Sequence, residues 1–127
     1  MGVSITVCTT CKFAPGQPFD AAVRSGGALL AEAIEREAGN RGDAPRIVRH
    51  ACLWACSQSC AILIESQGKI GYLAGRFEPT DAAARAILDW AAAYGESETG
   101  EVRYARWSEG IKGHFIARIP TGEGGSV

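Results

Sequence analysis

The chain has 127 residues, 46% hydrophobic and 21% charged, with a formal net charge of -1 and a pI near 6.1. This fits one folded domain with a core of its own and excludes a disordered chain. The near-neutral balance leaves no basic footprint for nucleic acid or an anionic membrane, and no apolar run approaches the roughly 18 residues of a membrane span.

The N-terminus, "MGVSITVC", lacks a basic region and a long apolar run, so no signal peptide is expected and the protein is expected to be cytoplasmic. Residues 3–7 are short and β-branched and predict a buried strand. "CTTCKFAPGQP" carries two prolines and a glycine and reads as loop. Residues 20–38 predict a helix, firmer after Gly27, with Leu29, Leu30, Ala33 and Ile34 on one face. Gly39 is expected to stop it in the left-handed conformation. Residues 46–51 predict a second strand that runs straight into "CLWACSQSC".

Residues 61–65 predict a third strand, "SQGK" a turn, and residues 70–73 a fourth strand, so that the last two form a hairpin. Thr80 then reads as an N-cap with Asp81 in the first turn of a helix. Ala83, Ala86, Ile87, Trp90, Ala91 and Tyr94 make its apolar face, and Gly95 is expected to end it. Residues 102–120 are apolar enough to pack but show no clear period. Residues 121–127 are expected to fray.

The order is strand–helix–strand, hairpin, helix. A strand–helix–strand unit is parallel and right-handed in nearly all cases. The expected fold is therefore α/β and thioredoxin-like, a mixed four-stranded sheet with flanking helices. It would be one domain over residues 1–120 with a tail over 121–127.

The chemistry lies in the cysteines. All five fall in two groups, Cys8 and Cys11 in "CTTC", and Cys52, Cys56 and Cys60 in "CLWACSQSC". In a reducing compartment such clusters hold metal or do redox chemistry more often than they form disulfides, and an odd count always leaves one thiol over. Each group follows a predicted strand. Parallel neighbours about 4.8 Å apart would bring the two loops together at one end of the sheet.

Clustered thiolates suit an iron–sulfur cluster, a tetrahedral zinc ion or a dithiol–disulfide pair. The wide C-x₃-C-x₃-C loop favours the larger object, such as two irons with two sulfides. A redox C-x-x-C normally opens a helix, whose dipole lowers the thiol pKa. Here Pro15 and Pro18 follow the pair too closely for that.

"CLWAC", the hairpin "AILIESQGKIGYLAG" and the helix "EPTDAAARAILDWAAAY" resemble the C-terminal half of thioredoxin-like [2Fe-2S] ferredoxins. That half is related to the cluster-binding subunit of NADH-dehydrogenase-type and hydrogenase complexes. The resemblance implies a [2Fe-2S] cluster with ligands at Cys8, Cys52 and Cys56. It also implies electron exchange with redox partner proteins, and homodimerisation. Those ferredoxins carry a further ligand about a dozen residues after the first, but no cysteine lies between Lys12 and Ala51 here. The fourth ligand is then Cys11, Cys60 or a group other than cysteine, with Cys11 the first choice, narrowly ahead of Cys60.

A broader resemblance covers nearly the whole chain. "TVCTTC", "CLWACSQSCAI", "GKIGYLAGRFEPTDAAA" and the late "RIP" resemble a bacterial family of predicted metal-binding proteins. Genes of that family are often found beside those for cobalamin synthesis and cobalt handling. This implies an electron donor to a cobalamin- or cobalt-related reduction, or a metal carrier. The expected function is thus a [2Fe-2S] one-electron carrier and not an enzyme. A zinc or metal-carrier protein and a thiol–disulfide oxidoreductase are the alternatives.

Other residues have quieter readings. His50, two residues before Cys52, is first an ordinary strand residue and second a ligand. His114 is read as non-ligating. Trp54 either packs or shields the cluster loop. Thr9 and Thr10 either form the loop or donate hydrogen bonds to sulfur. Arg46, Arg49, Arg76, Arg103 and Arg106 are either solvated charges or a docking patch. "SGG" at residues 25–27 reads as an irregular or close-packed helix start, not a phosphate loop.

Overall fold

The structure, a computed structural model, describes residues 2–9, 25–42, 44–50 and 60–120. Strand β1 is Ser4–Cys8, helix α1 Gly26–Ala38, β2 Arg46–His50, β3 Ile62–Glu65, β4 Gly71–Ala74, α2 Asp81–Glu96 and β5 Phe115–Ile119, with a 3₁₀ turn at Tyr104–Arg106. The strands form one sheet in the order β2-β1-β3-β4-β5. β1 and β2 are parallel, and every other neighbouring pair is antiparallel.

Side chains alternate across the sheet. Ile5 and Val7 of β1, Ile62 and Ile64 of β3, and Tyr72 and Ala74 of β4 are buried together with Leu30 and Ile34 of α1 and Ile87 and Trp90 of α2. The two helices lie against each other over this core. Trp90 is its largest side chain. It meets Tyr72 edge-on at 4.8 Å and Phe115 at 4.9 Å between ring centroids.

Both helix starts are capped as the side chains dictate. The Ser25 hydroxyl accepts from the Ala28 N–H, and the Thr80 hydroxyl from the Ala83 N–H. In the β3–β4 hairpin, Gly68 takes φ +80, which only glycine adopts without strain. Residues 20–24, where the sequence placed the first part of α1, lie outside the described residues, as do 51–59 and the tail at 121–127.

Three expectations are corrected. The sheet has five strands, not four, because residues 115–119 pair with β4 at the edge. An edge strand packed at only one residue shows no alternation. Phe115 is half-buried, the next four residues are exposed, and a register shift at Leu73/Ala74 breaks the remaining pattern.

Gly39 is not left-handed. At φ -63 and ψ -16 its N–H donates to the Glu35 carbonyl and continues the helix ladder. The chain then turns through bonds from Asn40 N–H to Glu37 and from Arg41 N–H to Ala38. Helix α2 passes through Gly95 and ends at Glu96, where the Ser97 N–H reaches back to the Tyr94 carbonyl.

Candidate metal centre

Parallel pairing sets Cys8 opposite His50, so β1 and β2 end side by side. β3 runs the other way and therefore starts at this same end. The Cys8 N–H donates to the Ala61 carbonyl at 3.0 Å, which brings Cys60 beside it. At this one end the chain departs after Cys8 towards Cys11, departs after His50 towards Cys52 and Cys56, and returns at Cys60. Cys11, Cys52, Cys56, Thr10 and Trp54 lie outside the described residues.

The backbone around Cys8 is tightly tied. The Thr9 N–H donates to the His50 carbonyl at 2.8 Å, and the Thr9 hydroxyl donates to the same carbonyl at 3.3 Å. The Thr9 carbonyl accepts from the Ser25 hydroxyl, the group that also caps α1. Gly27 lies against the Cys8 carbonyl so closely that a β-carbon there would overlap the oxygen. "SGG" is a close-packed helix start for this reason. The positive end of the α1 dipole consequently sits at Cys8, where it favours negative charge.

Cys8 and Cys60 are both buried, at 3% and 0% exposure. Burial, and after it the neighbouring charge of Cys8, pushes the Cys60 thiol up to about 12. Cys60 has φ +53, and just past the end of β4 Arg76 has φ +63. Among the described residues they are the two non-glycine residues with positive φ, and both lie at the cysteine end of the sheet. Such conformations cost about 1–3 kcal/mol and cluster at functional sites. No sequence signal marks either position, because neither residue is a glycine or asparagine.

His114 stands at this end as well, but its ring stacks on Phe77 at 4.3 Å and its Nδ1 lies 2.9 Å from the Gly75 carbonyl oxygen. Of the five arginines, Arg46, Arg49, Arg76 and Arg106 do not gather into one patch. Arg46 opens β2 at the far end, Arg49 pairs with Glu35 and Arg106 with Glu96, while Arg76 donates to the Gly113 carbonyl. The Arg49 guanidinium holds the Glu35 carboxyl below its usual range.

Among the described residues, no group of three or more His, Cys, Asp and Glu side chains is placed to hold a metal ion. The described part of the centre is two adjoining buried sulfurs. Soft sulfur donors of this kind fit an iron–sulfur cluster or zinc.

A family model described as a protein of unknown function, DUF1636, matches residues 5–121. The chain belongs to the DUF1636 family. Among solved structures, a thioredoxin-like [2Fe-2S] ferredoxin from Aquifex aeolicus is similar to this DUF1636 chain at a TM-score of 0.59 and 16% identity, over 95% of this chain and 96% of that one. The fold is therefore thioredoxin-like. Comparison with curated proteins finds no match. Among the described residues, no helix is long and apolar enough to cross a membrane.

Proposed function

We propose that this protein is a [2Fe-2S] ferredoxin-like one-electron carrier whose cluster is held by Cys8, Cys52, Cys56 and one further cysteine. The observation that carries the reading is the Cys8–His50 register, with Cys60 entering from the adjoining strand. At one end of the sheet this register sets the ends of β1 and β2 beside the start of β3, and in sequence Cys11 follows the first, Cys52 and Cys56 the second, and Cys60 precedes the third. The likeness of fold to a thioredoxin-like [2Fe-2S] ferredoxin supports it.

When bound, the cluster would supply a one-electron couple. The chain's own part is to hold four thiolates and to offer the dipole end of α1 at Cys8. Redox partner proteins would exchange the electron at this end of the sheet. The role is carriage of an electron, not catalysis on a substrate. The wider family resemblance suggests a cobalamin- or cobalt-related reduction as the process served.

The test is an absorption spectrum of anaerobically purified protein, with iron, zinc and acid-labile sulfide assayed on the same sample. A red-brown protein with about two irons and two sulfides per chain is expected, and Cys52→Ser should abolish both. A Cys52→Ser protein with full iron and sulfide would remove Cys52 from the ligand set. A colourless protein with one zinc and no sulfide would instead support a metal carrier or structural zinc protein. The specific observation behind that second reading is the fifth thiol, which would let a bound ion be passed on by ligand exchange.

A further inference from the structure

We infer that Ser25 is a positioning residue for the centre at Cys8: its hydroxyl ties the start of α1 to the turn after Cys8 and thereby raises the reduction potential of the group that Cys8 holds. The inference rests on the cluster reading above and goes beyond it to what sets the potential.

The hydroxyl of Ser25 does two things. A serine hydroxyl has one proton to donate and two lone pairs with which to accept. The Ala28 N–H can only donate and the Thr9 carbonyl can only accept, so both directions at Ser25 are fixed. Its oxygen caps α1, at 3.1 Å from the Ala28 nitrogen, and its proton goes to Thr9. Capping needs the acceptor alone, and aspartate or asparagine would serve that purpose equally. The donated proton is a second function that capping does not explain.

Thr9 is the residue after Cys8. Its N–H and hydroxyl both donate to the His50 carbonyl, so β2 holds it from one side. Ser25 holds its carbonyl from the α1 side. Gly27 lets the helix approach, since its backbone lies directly against the Cys8 carbonyl where a β-carbon would overlap. Glycine permits the contact, and the Ser25 bond keeps it in place.

The contact has an electrostatic consequence. The start of a helix carries about half a positive charge, and its influence falls off within the first turn. The first turn of α1 has no acidic side chain to offset that charge, whereas α2 has Asp81 in the same place. Reduction adds one electron, and so one negative charge, to a cluster ligated by Cys8. A positive helix end held against Cys8 favours the added charge and raises the potential. Its effect depends on close approach, which the Ser25 bond maintains.

The experiment measures midpoint potentials by anaerobic dithionite titration of the reconstituted protein, unmodified and as Ser25→Thr and Ser25→Gly. Iron, sulfide and the electron paramagnetic resonance of the reduced form are read on each, with far-ultraviolet circular dichroism as the check of folding. Ser25→Thr retains both the acceptor and the proton and is expected to keep the unmodified potential. Ser25→Gly retains most of the helix start but has no proton for Thr9. It is expected to keep its iron and sulfide. At a fixed solution potential its ratio of reduced to oxidised protein should fall by about two- to fivefold. An unmodified or raised potential in Ser25→Gly, or a threonine variant shifted as far as the glycine one, would overturn the inference. So would a folded Ser25→Gly that takes up no cluster, since the hydroxyl would then serve assembly and not tuning. If Ser25→Gly does not fold, Ser25→Ala removes the same hydroxyl and is judged by the same outcomes. An unmodified protein that takes up no iron and sulfide refutes the cluster reading itself, a result separate from the role of Ser25.

Discussion

Gly27 and Gly39 occupy opposite ends of α1 and do unrelated things. Gly27 is there because no β-carbon fits against the Cys8 carbonyl. Gly27→Ala must push the helix start off the end of β1, and overpacking of this kind costs about 1–3 kcal/mol. We expect that loss in urea unfolding, together with weaker retention of the proposed cluster. Gly39 sits in right-handed helical geometry with only ordinary contacts around its missing β-carbon. Gly39→Ala is therefore expected to stabilise by about 0.4–1 kcal/mol, by restricting the unfolded chain. The "SGG" run could be read as a close-packed start from its residues alone. Gly39 could not be placed, since a glycine after a helical run suits either a left-handed stop or one more helical residue.

Helix α2 is the element most fully determined by its own residues. Thr80 caps it, Asp81 opposes the dipole, and an apolar face recurs at helical spacing down to Tyr94. Thr80→Ala removes the side chain that accepts the Ala83 N–H and should cost about 1 kcal/mol in thermal or urea unfolding. Tyr94 also fixes the far end of the hairpin, donating its hydroxyl to the Ile70 carbonyl at 2.7 Å. Burial, with the nearby Tyr72 next in weight, pushes the Tyr94 hydroxyl from 10.0 up to about 12. The folded state thus holds this proton more tightly than the unfolded chain. Its contribution is complete below pH 10 and is lost as pH rises from 10 through 12. Melting temperature should fall across that window. Tyr94→Phe should flatten the fall and lower stability near neutral pH by about 1 kcal/mol. β5 is the contrasting element. Its pairing to β4 is made by backbone groups, and backbone bonding leaves no mark in a side-chain pattern.

At the scale of the whole molecule, a metal centre at the cysteine end would bind across chain segments far apart in sequence. Such binding stabilises the folded state over the unfolded one by mass action. Reconstituted protein should melt at a higher temperature than the metal-free form, and a chelator that strips the iron should reverse the gain. An equal melting temperature for the two forms would mean that the metal binds without the folded sheet end.

The residues themselves determined the two helices, the strand–helix–strand order and the concentration of every thiol in two short groups. These follow from local physical chemistry: capping hydroxyls, β-branched runs, apolar spacing and turn-forming glycines act within a few residues of one another. Tertiary structure alone decided that Cys60 lies beside Cys8, that Thr9 is tied to β2 and α1, and that positions 60 and 76 carry left-handed backbone. Those features depend on strand registers that pair residues 42 to 61 positions apart in the chain. Register is set by the packing of one whole face against the helices, a property of no single stretch of sequence.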